Sequence, residues 1–265
     1  MYAAAVVLAV FSVFPLVWMA ITSIKPRSEI LTREPVFWPS TAVWSRYADV
    51  IERGFATALV NSLVVTLTTV AIGLVVAALA GYALARFDMR FKQYLLMVVL
   101  ATQMFPLVVL IIPLFIVMRQ LDLLGTYTGL IISYLSFTTP LAVWILRGFF
   151  QSIPEDLEAA ALVDGCTRFG AIRRVVVPLA GPGVAACAIF TFISAWNEFL
   201  MALTFIQDDR RYTLPVALTA FAGRAATDYG AIMAFSVLFT LPVIIFFMFV
   251  HRRLTHGFVA GAVKG

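Results

Sequence analysis

Ser152–Leu179 reads SIPEDLEAAALVDGCTRFGAIRRVVVPL, a charged, alanine-rich stretch set between apolar runs at Tyr127–Leu146 and Val176–Phe205. Ser152 and Glu155 stand at capping-box spacing, and Pro154 suits a helix's first turn, where its missing N–H is no loss. The spacing predicts a helix over Pro154–Val163, ended by Gly165, which can adopt the left-handed backbone that closes a helix. Thr167 can cap a second short helix leading through Arg173 and Arg174 toward the next apolar run. Two short helices joined by a glycine bend make a compact knob. A soluble knob between two apolar crossings decides the architecture: an all-α, polytopic membrane helix bundle.

The composition outside this loop agrees. Of the 265 residues, 62% are hydrophobic and 12% charged, with a mean hydropathy of +0.99. A water-soluble domain carries about 25% charged residues, so the solvent of this chain is lipid. A hydrocarbon core about 30 Å thick needs roughly 20 apolar residues at 1.5 Å each. Six stretches qualify: approximately 2–24, 58–85, 94–118, 127–146, 176–205 and 230–250, forming a single transmembrane domain over 1–265. The first lacks the basic leader and small-x-small site of a secretory signal, and is read as a retained helix.

Six crossings put both ends on one side. Raw counts split the 19 basic residues almost evenly between the two faces. Arg86, Arg90 and Lys92, however, crowd one very short loop, and density in short loops is what the positive-inside rule weighs. Both termini are therefore read as cytoplasmic. That makes 148–177 a long cytoplasmic loop, 251–265 a cytoplasmic tail, and Lys25–Thr57 an extracytoplasmic cap with Trp38 and Trp44 at the interface. Pro106, Pro113, Pro140 and Pro242 interrupt the spans. Such breaks serve either moving cavities or static kinks. Gly73, Ala77, Ala78, Ala80 and Gly81 permit close helix approach.

Several function classes drop out. The basic residues are scattered, without the runs that bind nucleic acid. Cys166 and Cys187 lie in a loop and a helix and form no disulfide framework. His251 and His256 are the only histidines, too few for a metal cluster, and no nucleophile–base constellation is seen. No G-x-x-x-x-G-K-[ST] run exists to cradle nucleotide phosphates, so any energy from ATP has to come from another polypeptide. An ion-driven secondary transporter would show inverted repeats and charged pairs near the midplane. Only Glu198 qualifies, about 30 Å along the fifth run, and it either lines a solute path or, with Asn197, anchors helices.

Glu158-Ala159-Ala160 with Gly165, Ile172 and Pro178 at a distance resembles the EAA loop of permease subunits of ATP-binding-cassette (ABC) importers. Ala58–Ser62, Gly81–Arg86, Ala195–Phe199 and the tail Thr255–Gly265 resemble the carbohydrate branch, in particular the shorter permease of maltose-type importers. The resemblance implies that the loop is a coupling helix seated in a cleft of a separate ATPase. Glu158 would meet a basic group there and Gly165 permit the bend, with Ala159, Ala160, Asp164, Phe169, Ile172 and Pro178 completing the contact. The tail, with Gly257, Gly261 and Lys264, would reach between the ATPase subunits or stay disordered. Further implied are a second permease subunit in a heterodimer, two ATPases using ATP and Mg, an extracytoplasmic solute-binding protein, and the plasma membrane of a prokaryote. The chain itself would hold no cofactor or metal and carry no catalytic residue. The solute would be a sugar, an oligosaccharide or a glycerol-phosphate-type molecule.

Overall fold

The structure, a computed structural model, describes the backbone of residues 2–224 and 228–262 and the side chains of 2–223 and 228–251. Among the described residues every regular element is helical. In chain order these are α1 (Tyr2–Ser23), α2 (Arg27–Ile30), α3 (Ser45–Val50), α4 (Ala56–Arg86), α5 (Lys92–Ala101), α6 (Leu107–Gln120), α7 (Tyr127–Ser152), α8 (Glu155–Val163), α9 (Arg168–Ala171), α10 (Val177–Leu179), α11 (Gly181–Trp196), α12 (Leu200–Phe205), α13 (Leu214–Arg224) and α14 (Tyr229–Ala262). Tyr2–Ser23, Ser45–Arg86, Tyr127–Ser152 and Tyr229–His251 are each long and apolar enough to cross a membrane; the second is kinked at Arg53-Gly54, where Gly54 has φ +104°.

The third and fifth expected spans are not single helices. Lys92–Met104 and Leu107–Gln120 meet at 102°. Pro106 has no N–H to donate and pushes Phe105 into extended backbone at φ −76°, ψ 130°. Beside the break, Gln103 Nε2 donates to Phe137 O of α7 at 3.1 Å. By contrast Pro15, Pro113, Pro140 and Pro242 remain inside continuous helices. The fifth stretch bends by 76° where α10 gives way to α11, at Ala180-Gly181-Pro182, and breaks again between Trp196 and Leu200. The fourth span runs on to Ser152, and the sixth continues as helical backbone to Ala262, well beyond the expected Val250.

One compact unit comprises residues through Ser62 with Asp208–Ile245. Here the segment after α1 folds back on the end of that helix. Arg46, 6% exposed, donates through Nη1 to Ser23 O at 3.2 Å and to Lys25 O, and its Nε lies 3.6 Å from Asp228 Oδ1. Lys25 Nζ sits 3.9 Å from the Trp18 ring centroid. Asn61 Nδ2 donates to Arg210 O and Tyr212 O, each at 2.9 Å, and Ser62 Oγ accepts from Leu214 N at 2.7 Å. These bonds fix the start of α13, which lies between the fifth and sixth expected spans. In α1 only Thr22 and Ser23 are buried, so its apolar flank is left for the membrane.

The second unit is Leu63–Gln207 with the helix from Phe246 onward. Its core gathers small and branched residues of α4, α7 and α11, among them Ala77, Ala142, Val143, Leu146 and Cys187. Cys187 and Cys166 are both free thiols. Gly81 lets α4 approach α7 closely: a Cβ there would lie 3.1 Å from Arg147 N and 3.2 Å from Val143 O. Because those neighbours are backbone, they cannot swing aside. Gly81→Leu should therefore cost about 1–3 kcal/mol, read as a lowered thermal midpoint of the detergent-solubilised protein. Gly148→Ala, inside α7 with nothing within 4 Å of the added carbon, should leave that midpoint unlowered and raise it slightly, because alanine favours the helix.

Candidate functional site

The knob forms with one local difference from expectation. Because α7 extends to Ser152, that residue is already helical, and its Oγ donates back to Phe149 O at 2.8 Å. The capping box is therefore not made, and Pro154 occupies the cap position of α8 with no side-chain bond. The other end closes as expected. Asp164 N reaches Ala160 O at 2.9 Å, Gly165 N reaches Leu162 O at 3.1 Å, and Cys166 N reaches Ala161 O at 3.0 Å. Gly165 sits at φ +88°. This is a Schellman closure, whose left-handed position glycine fills without a Cβ penalty. Thr167 Oγ1 then accepts from Gly170 N at 3.1 Å and starts α9.

Side chains divide sharply around this knob. Ala159, Ala160, Asp164, Gly165, Phe169 and Pro178 are exposed, and Ile172 is half-buried. Exposed apolar side chains include Leu157, Val163 at 87% and Phe169 at 66%. Glu158 goes the other way, being only 9% exposed. Arg86 Nε and Nη2 both lie 2.5 Å from Glu158 Oε1, and Tyr82 Oη donates to Oε2 at 2.7 Å. Arg86 Nη2 also donates to Ile153 O at 2.9 Å. Both oxygens of Glu158 thus have a partner within this chain. Burying a carboxylate demands such a partner, and removing one half of a buried pair costs about 3–5 kcal/mol. Beside the pair lies a groove of about 460 Å³ lined by Glu155, Asp156, Ala159, Leu162 and Arg168.

The second candidate lies at the break after α11. Glu198 is 6% exposed. Its Oε1 accepts from Met201 N at 2.7 Å, and its Oε2 from Ala202 N at 3.1 Å and Tyr134 Oη at 2.8 Å. The carboxylate therefore caps the first turn of α12, where freed amides and the helix dipole favour negative charge, and ties that turn to α7. Asn197 is exposed, and its Nδ2 donates back to Ile193 O at 2.9 Å. Of the two readings of Glu198, the geometry favours the anchor.

Tyr82 and Arg86 are not among the site residues to which the sequence points. The available signal was an arginine on the last turn of a long apolar helix, where a cation needs a carboxylate. In the tail, Gly257 and Gly261 fall within the helical backbone of α14, and Lys264 lies outside the described residues.

With this geometry in hand, the chain can be set beside known proteins. Residues 72–259 match the model of the family described as binding-protein-dependent transport system inner membrane component. The sulfoquinovosyl glycerol transport system permease of Agrobacterium fabrum is 39% identical, over 100% of this chain and 93% of that protein. The trehalose transport system permease of Mycobacterium tuberculosis is 39% identical, over 96% and 93%. A chain from the crystal structure of a bacterial ABC transporter involved in the import of the acidic polysaccharide alginate is similar with a TM-score of 0.79. The two are 25% identical, with 95% of this chain and 94% of that one covered. The chain thus belongs to the family of binding-protein-dependent transport system inner membrane components.

Proposed function

We propose that this chain forms one half of the membrane pathway of an ATP-driven importer for a sugar, an oligosaccharide or a sugar-like solute. Glycerol-phosphate-type solutes are the alternative within the same family, whereas membership in a binding-protein-dependent family removes the reason to invoke an ion-driven carrier. In this reading the solute arrives on an extracytoplasmic binding protein. A second permease subunit completes the path, and two ATPase subunits, which hold the ATP and Mg, dock from the cytoplasm. Both termini lie on the cytoplasmic side, and Gly257, Gly261 and Lys264 belong to the part that meets the ATPases. The sugar assignment is supported by relatives that handle sulfoquinovosyl glycerol and trehalose.

The observation that carries the reading is the knob's exposed rim. Leu157, Val163 and Phe169 are apolar side chains left uncovered outside the membrane spans, where lipid does not cover them and a docked partner would. A body closed by the Gly165 turn and the Thr167 cap transmits a push, where a floppy loop would absorb it. Val163→Asp with Phe169→Ala should abolish copurification with the cognate ATPase while the chain still inserts in the membrane. Undiminished copurification of that double variant would remove the docking assignment. Gly165→Val, placing a β-branched residue at φ +88°, should cost at least about 1–2 kcal/mol locally and reduce uptake more than protein level.

Asn197 is the residue of this chain assigned to face the path, and Glu198 is assigned to hold α12 in place. Glu198→Ala leaves two amides and the Tyr134 hydroxyl without their acceptor, and should lower stability by about 1–3 kcal/mol per orphaned group. The apparent KM for solute in surviving transporters should stay within about twofold, since no transition-state or ground-state contact to solute is removed. A large KM change at unchanged stability would instead place the carboxylate on the path.

A further inference from the structure

A displaced knob moves solute only if its motion reaches the membrane helices. Along the chain, α8 joins α7 through Ile153-Pro154, and it joins α11 through Asp164–Thr167, α9, the wide turn Ile172–Val176 and α10. The second route is long and bent. The first passes through a proline that contributes no N–H and a cap without side-chain bonds. Each route is interrupted, the first at Pro154 and the second at the Gly165 turn and the 76° bend before α11.

A third connection runs through side chains. Arg86 is the last residue of α4, and one guanidinium grips both sides of the α7–α8 junction: Ile153 O before Pro154 and the Glu158 carboxylate in the first turn after it. The remaining Glu158 oxygen is held by Tyr82, one turn back on α4. Tyr82 is itself braced edge-on against Phe150 of α7 at 6.0 Å. The Arg86 and Glu158 side chains are only 9% and 12% exposed, so water does not compete freely for the pair. A planar guanidinium placing two N–H groups on one oxygen fixes direction as well as distance.

We propose that Arg86 is a positioning residue of energy coupling: with Tyr82 it hooks α8, through Glu158, onto the inner end of α4, so that the ATPase stroke is delivered to that span. This rests on the reading of the knob as the ATPase contact. It makes Glu158 an internal hook, and leaves the grip on the ATPase to the exposed rim.

The test uses the full transporter in proteoliposomes with its ATPases and loaded binding protein, reading assembly, ATP hydrolysis and solute moved per ATP. Arg86→Gln and Glu158→Gln should each assemble and keep ATP hydrolysis within about twofold, while solute moved per ATP falls about tenfold. Exchanging the charges, Arg86→Glu with Glu158→Arg, should restore a substantial part of that ratio, as a direct pair requires. Arg86→Lys, which keeps the charge but loses the planar fork, should fall between wild type and Arg86→Gln. An assembled Arg86→Gln transporter with an unchanged ratio overturns the hook. So does loss of ATPase docking in Arg86→Gln, because that would make Arg86 part of the grip. A charge exchange that folds and assembles yet does no better than either single variant also overturns it. If the exchange fails to assemble, the Arg86→Lys ratio decides, and one equal to wild type counts against the hook. Should wild-type chain recruit no ATPase at all, the docking reading fails instead, and that outcome is separate from every result on Arg86.

Discussion

A backbone amide freed inside hydrocarbon has no water to turn to, so each place where a membrane-spanning chain stops being helical needs a partner from its own side chains or neighbours. This constraint organises the second unit. Where Pro106 turns the third stretch through 102°, Gln103 reaches across to Phe137 O. Where α11 ends, Asn197 folds back on Ile193 O and Glu198 collects the first amides of α12. At the far end of α12, Phe205 O accepts from Gly125 N at 2.9 Å. The broken stretches are therefore specified structures with defined repairs.

The same scarcity of water governs the two buried carboxylates of this unit, and it is met in two different ways. Glu158 is neutralised by a guanidinium and a phenol. Glu198 has a phenol and two backbone amides in its shell, with no cation among these partners. Dipoles of a helix start are fixed by the fold, so Glu198 can only hold its helix where it is. The Arg86 guanidinium instead ties two separate helices, α4 and α8, through charge-assisted bonds. The first kind of anchor sits at a break within the apolar stretches and the second at the knob.

The sequence made the element types legible because apolar length and capping chemistry are local signals. Gly165 and Thr167 could be assigned from their neighbours alone, and both behave accordingly. The capping box at Ser152 failed for a tertiary reason: packing of Leu146 and Phe150 in the core carries α7 past the point where local spacing would have ended it. The two bends escaped because hydropathy sums over a window and is blind to direction. Of the interior prolines, Pro106 broke its helix whereas Pro113 and Pro140 did not, a difference that depends on what neighbouring chain is available to satisfy the freed carbonyls. Glu158 was found as a motif residue, but its partner lay 72 positions earlier, beyond any spacing rule. Asn61 and Ser62, quoted only as part of a resembling segment, turn out to hold α13 through carbonyls and an amide about 150 residues away.

Stiffness is distributed along this chain in a way that suits transmission. The knob is closed at one end by a Schellman turn and a threonine cap, and at the other it is clasped by Arg86, so its internal degrees of freedom are few. The stretches it adjoins are the opposite: α11 is preceded by a 76° bend and followed by a three-residue break, and the third stretch is bent outright. Packed cores resist continuous deformation and respond by moving between discrete arrangements. A push on a stiff body therefore concentrates its displacement at the breaks, and those breaks are the positions where side chains, not helix continuity, decide the geometry. A permease built in this order, with a rigid handle, a long helix and hinged elements beyond, has the parts needed to turn a small displacement of the handle into a change of opening without unfolding any span.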